Sequence, residues 1–188
     1  MAASLALAKG ANLNCPQTAG VKELYTIPIA DVDSLTASNS VHSLTNIVFA
    51  TAGNGFGKIE FKRGECELTQ KMEQQNEVVV NFAVPNPTAE QLFQLEAIRK
   101  SCEQYMVART YDDKFIFVGW DAISGDEAFA RFQTAETTTG RAKTDANLTS
   151  FSMMAEQSEL CRILTGISGA TATTPAAIAA ELIAATSV

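Results

Sequence analysis

The residues of this chain that could do chemistry are few, and they lie far apart in the sequence. His42 is the only histidine. A serine or cysteine nucleophile needs a base within hydrogen-bond reach, and neither a G-x-S-x-G motif nor a cysteine-protease motif accompanies this histidine. His42 belongs to a segment with a strand pattern, so a structural or exposed role is favoured over a catalytic one. We therefore predict that the protein is not an enzyme.

The side chains that could bind a metal do not form a known ligand set. There is no C-x-x-C pair, which favours reduced, buried thiols over a zinc site or a disulfide framework for Cys15, Cys66, Cys102 and Cys161. The D-x-D-x-D-G-x₅-E pattern of a calcium loop is also missing, so we interpret the following aspartates as turn residues: Asp31, Asp33, Asp112, Asp113, Asp121 and Asp126. We predict no cofactor and no bound metal.

Residues 53–57, Gly-Asn-Gly-Phe-Gly, have the glycine content of a phosphate-binding loop. Such a loop opens a helix whose N-terminal amides face the anion, whereas this segment joins two strand patterns. We predict instead a hairpin turn between strands at residues 42–51 and 57–63, with Ile59 and Phe61 on the buried face.

The charge of the chain argues against binding to nucleic acid or membrane. Its 188 residues carry a formal charge of −7, and the lysines and arginines are scattered singly. A DNA-binding protein needs clustered cations that neutralise phosphates. No apolar run approaches the roughly 20 residues that cross a bilayer, and the N-terminus does not resemble a secretory signal. We expect a soluble protein made in a cytoplasm.

Most of the chain from residue 21 to residue 132 has the pattern of β-strands separated by turns. Residues 21–30 combine β-branched and aromatic residues, and Pro28 predicts an edge strand because proline cannot donate to a central ladder. Residues 31–40 are rich in turn-forming residues. The strongest strand signal is a period-two repeat of apolar residues: Val78, Val80, Phe82 and Val84.

A helix interrupts the strands, and more strands follow it. Thr88 and Gln91 form a T-x-x-Q capping box that predicts a helix over residues 88–103. Its apolar residues are spaced for one face that lies on a sheet: Leu92, Leu95, Ile98 and Cys102. Residues 105–110 and 114–120 predict a hairpin, and residues 147–154 and 160–165 predict a closing pair of strands.

Together these elements predict a mainly β (α+β) fold, an antiparallel β-sandwich or barrel with one flanking helix. We place the core domain at residues 21–165, between an N-terminal arm at 1–20 and a C-terminal arm at 166–188. Pro175 begins a short helix in the C-terminal arm, and so short a helix needs a partner surface. We predict that the arms contact neighbouring copies of the chain through Leu5, Leu7, Ile178 and Leu182.

The order of these elements resembles that of bacteriophage tail tube proteins. The likeness spans about residues 21–166 and is carried by residues 58–84 (KIEFKRGECELTQKMEQQNEVVVNFAV), the capped helix, and residues 114–120 (KFIFVGW). The chain also resembles uncharacterised virion proteins encoded by phages of Bacteroidetes bacteria. In those proteins an Asp-x-Asn segment precedes a late strand, as in residues 140–151 (GRAKTDANLTSF).

The resemblance implies a homo-oligomer of rings, typically hexamers, stacked into a hollow tube and joined to other virion proteins. Sheets of neighbouring subunits would join around the ring, while the arms and a long loop would bridge successive rings. Double-stranded DNA would pass without specific binding, because an acidic lumen does not hold phosphates. The protein would be assembled in the cytoplasm of the host bacterium and located in the phage tail.

Other functions fit the same sequence. Within the same class, the chain could be a capsid-stabilising, head-completion or tail-terminator protein, since these proteins share small β-rich folds. From another class, it could be a ligand-binding or carbohydrate-binding β-sandwich, or an enzyme whose site spans several strands.

Overall fold

The computed structural model describes residues 20–38, 41–51, 54–61, 63–72, 75–101, 103–138, 147–167 and 174–184. Leu5, Leu7, Cys15 and Cys102 lie outside the described residues. The strands of the first half are β1 (Val21–Pro28), β2 (Val32–Ser38), β3 (Ser43–Phe49), β4 (Gly57–Ile59), β5 (Cys66–Lys71) and β6 (Asn76–Pro85). Helix α1 (Ala89–Ser101) follows, and then β7 (Gln104–Thr110), β8 (Phe115–Val118), β9 (Arg131–Thr138), β10 (Leu148–Gln157), β11 (Arg162–Leu164) and helix α2 (Pro175–Ala184).

The strands form two sheets, which confirms the predicted β-rich fold with a flanking helix. One sheet has seven strands in the order β2-β3-β11-β8-β7-β1-β4, and the other has four in the order β5-β6-β10-β9. All pairs are antiparallel except that of β3 with β11. The β7–β8 hairpin forms as predicted, with Arg109 opposite Phe115.

The first core lies between the two sheets. Alternation places one face of β6 and β10 inward, so that the predicted repeat on β6 meets Phe151 and Met153 of β10. The rings of Phe82 and Phe151 stack at 5.4 Å between centroids. The seven-stranded sheet contributes Leu24, Met106 and Val118 to this core.

The second core lies on the opposite face of the seven-stranded sheet. Tyr25 and Ile27 of β1, Tyr105 and Val107 of β7, and Phe115 and Phe117 of β8 point to this side. Phe49 at the end of β3 and Phe56 just before β4 have ring centroids 6.1 Å apart, although β3 and β4 are five strand positions apart in the sheet. The sheet therefore curls around the second core.

Two predicted strand pairings are wrong. Strands β3 and β4 do not form a hairpin, because β3 pairs with β2 and β11 whereas β4 pairs with β1. Phe56, which directly precedes β4, is buried in the second core near Phe49 of β3. Likewise β10 and β11 are not a pair, because the chain between them passes from the four-stranded sheet to the seven-stranded sheet.

Two further strand predictions are also wrong. Strand β1 is not an edge strand, since β7 pairs along its length and β4 pairs with residues 24–26. Pro28 is tolerated because it is the last residue of β1, beyond the reach of the short β4. Residues 32–38, expected to be a turn, form strand β2, whose apolar residues Leu35 and Ala37 pack on the second core.

Helix α1 begins as predicted but is held by few apolar contacts. Thr88 Oγ1 accepts a hydrogen bond from the Gln91 amide, and Gln91 Oε1 accepts one from the Thr88 amide. Leu95 is buried and Ile98 is partly buried, whereas Leu92 is exposed. Its neighbour Phe93 is 75% exposed. The helix therefore leaves apolar surface in contact with solvent.

Helix α2 packs on the second core of its own chain. Ile178 is 7% exposed and Leu182 is 0% exposed, and the Leu182 carbonyl accepts a hydrogen bond from the Phe56 amide at 3.0 Å. The sequence predicted that both side chains contact a neighbouring subunit. They are core residues instead, because the curled sheet offers the apolar surface that this short helix requires.

We predict that Leu182→Ala destabilises the monomer by about 2–5 kcal/mol, since it removes a fully buried side chain and leaves a cavity. Urea unfolding followed by circular dichroism measures the change. The control is Leu160→Ala, at a leucine that is 44% exposed, which should change the free energy of unfolding by no more than about 0.5 kcal/mol. Equal effects of the two substitutions would contradict a core role for α2.

Candidate assembly surface

The face of the four-stranded sheet that points away from the core has short polar side chains in its middle rows, beside a row that includes the apolar residues Val79 and Met154. Strand register places Glu67, Asn81, Ser152 and Thr134 in one row across the sheet. Ala83, Ser150 and Glu136 form part of the next row. We call this surface the outer face. Its short side chains leave a shallow trough of about 350 Å³ across all four strands.

The outer face carries more negative than positive charge. Alternation assigns it four carboxylates and two cations, a net charge of −2: Glu67, Glu77, Glu136 and Glu156 against Lys71 and Arg131. Lys71 pairs with Glu77 at 3.5 Å, and the Arg131 guanidinium lies 4.4 Å from the centroid of the Phe129 ring. The described residues that line the trough include neither lysine nor arginine. Such a surface repels phosphates.

The two edges of the four-stranded sheet are β5 and β9, and within the described residues neither β5 nor residues 131–137 of β9 pair with a further strand. Within the described residues, β5 makes its strand pairing to β6, and residues 131–137 of β9 pair to β10. The four strands alternate in direction, so β5 and β9 run in opposite directions. The β5 edge of a second sheet in the same orientation would thus meet β9 as an antiparallel partner.

Strand β9 has a β-bulge at Gln133, but it otherwise has few of the features that protect edge strands from pairing. It is eight residues long, contains no proline, and has two charged residues, Arg131 and Glu136. Natural edge strands are usually short, charged or interrupted by proline or a bulge. Ala135 and Thr137 share the inward side of the strand with Phe132 and yet are exposed. The far half of the β9–β10 ribbon therefore extends beyond the core.

A network of charges fastens the short edge strand β4 to β1 and β7. Glu23 accepts hydrogen bonds from Lys58 at 2.8 Å, from Arg109 at 2.7 Å and from the Tyr25 hydroxyl at 3.0 Å. Burial of the carboxylate raises its pKa, but these three hydrogen bonds outweigh burial and lower the pKa of Glu23 to about 2. Arg109 also pairs with Asp113 at 2.6 Å.

A buried polar cluster fixes the passage of the chain from one sheet to the other. Asp121 is 0% exposed, and its carboxylate accepts hydrogen bonds from the backbone amides of Ile123, Ser124 and Ser158. Gln157 donates to the Trp120 carbonyl, and Arg162 donates to the Ser38 carbonyl and to Glu159. The functional groups of Asp121 are thus engaged in holding the backbone.

The other residues singled out for chemistry are not brought together. His42 is exposed, and its Nε2 lies 2.7 Å from the Leu160 carbonyl oxygen. Cys66 and Cys161 are free thiols, and burial raises the pKa of each to about 12, which keeps them protonated. Across the part of the chain that the structure describes, no three His, Cys, Asp or Glu side chains are grouped to hold a metal.

The described helices include none that is long and apolar enough to span a membrane. The predicted interface residues Leu5 and Leu7 lie outside the described residues, so their role stays a prediction. The outer face and the β9 edge were not predicted from the sequence. Alternation in residues 148–157 contained the signal for the outer face, but the edge depends on the order of strands in the sheet.

No protein-family model, curated protein or solved structure matches this chain.

We predict that Glu23→Gln destabilises the protein at pH 7 and that this loss shrinks as the pH falls from 4.5, the ordinary glutamate value, toward 2. The folded-state pKa is lowered, so the stabilisation is complete above 4.5 and disappears as the folded carboxylate is protonated. Urea unfolding at pH 7 and pH 3 tests this, with Glu103→Gln, at an exposed glutamate, as the control. A loss that does not depend on pH would contradict the assignment.

We predict that Asp121→Asn costs about 1–3 kcal/mol of stability, because an amide nitrogen replaces one acceptor oxygen and leaves a buried backbone N–H unpaired. Thermal and urea unfolding measure the change. Asp112→Asn, at an exposed turn residue, is the matched control and should shift stability by about 0.5 kcal/mol or less. If the two substitutions had the same effect, the buried cluster would not hold the turn.

Proposed function

We propose that this chain is a structural subunit of a bacteriophage tail tube, which assembles with copies of itself into stacked rings. The observation that carries the proposal is the four-stranded sheet, whose edge strands β5 and β9 pair with no further strand of the described residues at positions 66–71 and 131–137, and whose outer face is net acidic. The subunit would act in the phage tail, after assembly in the cytoplasm of the host bacterium. No catalytic step is part of the proposed role.

The geometry of the sheet supports closure into a ring. An even number of alternating strands lets β5 of one subunit pair with β9 of the next without breaking the antiparallel pattern. This contact is heterologous, and repeated heterologous contacts generate a ring if the rotation closes. Hexameric rings, as in the proteins that the sequence resembles, are the proposed arrangement.

The chemistry of the outer face supports its place at the lumen. A tube that passes DNA must not bind it, and affinity for DNA comes mainly from lysines and arginines that neutralise phosphates. The trough on the outer face is lined instead by Asn81, Thr134, Ser150, Ser152 and the carboxylates Glu65 and Glu67. Double-stranded DNA would then pass along this face without specific binding.

The exposed part of the β9–β10 ribbon supports contact between rings. Ala135 and Thr137 lie outside the core, so this end of the ribbon is available to a second subunit along the tube axis. Residues 139–146, which join the two strands, are the long loop of the proposed assembly and lie outside the described residues.

We expect concentrated full-length protein to form tubes or stacked rings in negative-stain electron microscopy. The edge pairing is tested by Thr134→Pro and Ala135→Pro, since adjacent residues of a strand direct their N–H groups to opposite edges. In one of the two variants the lost N–H is a donor to β10, so that variant should unfold the β9–β10 ribbon. In the other variant the lost N–H points to the open edge of β9, so that variant should fold as a monomer but should not pair with β5.

Circular dichroism and thermal melting identify the substitution that leaves the fold intact, and microscopy then reports its assembly. If that variant forms tubes like the unmodified chain, β9 is not the joining edge. If the unmodified chain stays monomeric at all concentrations, the tail tube proposal is wrong, and a specific ligand that raises the melting temperature would favour a binding module. Closed single rings would favour a tail-terminator protein.

A further inference from the structure

A cleft of about 610 Å³ separates helix α1 from the edge of the seven-stranded sheet. One wall is residues 57–60, which include all of β4, and the opposite wall is the face of α1 that carries Gln94, Ala97 and Ile98. Val84 and Leu95, both members of the first core, form an apolar floor. The charge network, the buried polar cluster and the outer face do not fill this cleft.

The wall formed by β4 can bind an extended peptide as an added strand. Strand β4 is the last strand of its sheet and, within the described residues, it makes its strand pairing to β1 alone. The cleft is lined by the consecutive residues 57–60 and by Thr26 of β1. Because alternate residues of a strand point to opposite faces, consecutive lining residues indicate that the backbone of the free β4 edge borders the cleft. A segment that adds to such an edge gains main-chain hydrogen bonds, while alternate side chains enter the groove beside it.

The rim of the cleft selects for positive charge. Glu60 and Glu90 are exposed residues that line it. Lys58 also lines it, but its ammonium group is paired with Glu23 at 2.8 Å. The two glutamates therefore leave the rim acidic, and an occupant with a lysine or arginine and no carboxylate has the complementary charge.

The chain itself contains one segment with this chemistry outside its described residues. Residues 5–9, Leu-Ala-Leu-Ala-Lys, place both leucines and the lysine on one face of an extended strand, and residues 1–20 contain neither aspartate nor glutamate. Residues 139–146 carry Arg141 and Lys143 but no large apolar residue. Helix α2 of the C-terminal segment does not supply the occupant, because its Ile178 and Leu182 are buried in the second core.

We propose that residues 5–9 of a second copy of the chain add as a strand to the β4 edge within this cleft. Leu5 and Leu7 lie against Val84 and Leu95, and Lys9 lies at the acidic rim. The choice of a second copy rests on the proposed function, in which subunits complete one another. Strand β4 has three residues. At about 3.3 Å per residue its edge offers roughly 10 Å, which pairs with the central part of the five-residue segment.

The experiment uses full-length chain with the photo-crosslinker p-benzoyl-phenylalanine in place of Leu7, mixed with an equal amount of ¹⁵N-labelled chain that lacks the probe. After irradiation, mass spectrometry identifies the crosslinked peptides. We expect ¹⁵N-labelled peptides from residues 57–60 and 84–98. Crosslinks confined to the probe-bearing copy would show that the arm binds its own chain, and crosslinks to another surface would exclude the cleft. Either result overturns the proposal.

Two substitutions in the same helix provide a matched pair. Ala97→Trp fills the cleft from an exposed position and should lower the crosslink yield about tenfold or more, the change that loss of about 1.4 kcal/mol of binding energy produces. Ala89→Trp introduces the same side chain at an exposed position that does not line the cleft, and should leave the yield unchanged. Equal yields from both variants would overturn the proposal.

Substitutions of Lys9 test the charge of the rim. Lys9→Glu should reduce the yield, whereas Lys9→Arg should preserve it, and the difference should diminish in high salt because screening weakens the pairing. Electron microscopy of the same samples separates the two proposals. If Ala97→Trp leaves both the tubes and the crosslink yield unchanged, the proposal for the cleft is wrong and the tail tube proposal stands. Absence of both tubes and crosslinks between copies contradicts both.

Discussion

Strands β1, β7 and β8 carry large apolar side chains on both faces, and the rest of the fold depends on the need to cover both. The four-stranded sheet covers one face through Phe82, Phe151 and Met153. Among the described residues no second sheet covers the other face, so the seven-stranded sheet curls around it and α2 packs Leu182 against it. A strand buried on both faces cannot tolerate a shift in register, because every side chain would change sides.

Because one chain covers both faces, it must pass from one sheet to the other. The buried polar cluster stabilises the turns where it does so. The turn after β10 must leave the four-stranded sheet and enter the seven-stranded sheet at β11. Backbone amides exposed by such a turn need partners once they are buried. Asp121 accepts a hydrogen bond from Ser158 in this turn and from Ile123 and Ser124 in the turn after β8, and Arg162 donates to the Ser38 carbonyl of β2. The cluster is costly to break because each partner depends on the others.

Eight large apolar side chains of the described residues are exposed, and two of them, Leu92 and Phe93, lie next to each other on α1. The four-stranded sheet instead offers backbone at the edges of β5 and β9 and short polar side chains on its outer face, and β4 offers a further edge. Assembly through backbone pairing suits such a molecule, because edge strands bind without an apolar patch and set the direction of the partner. In the structure the surfaces suited to self-assembly are therefore strand edges, whereas the sequence predicted contacts through apolar residues of the two arms.

By itself, the sequence determined the elements whose signals are local. Alternation identified β6, the capping box located the start of α1, and Asp112 and Asp113 marked the β7–β8 turn. Only the tertiary structure decided which strands are neighbours. In the structure β4 lies far from β3, β1 lies inside the sheet, and Ile178 and Leu182 are buried, in contrast to the predictions from the sequence. The physical reason is that strand order and the burial of a short helix depend on contacts between residues distant in sequence, which periodicity and turn chemistry do not encode.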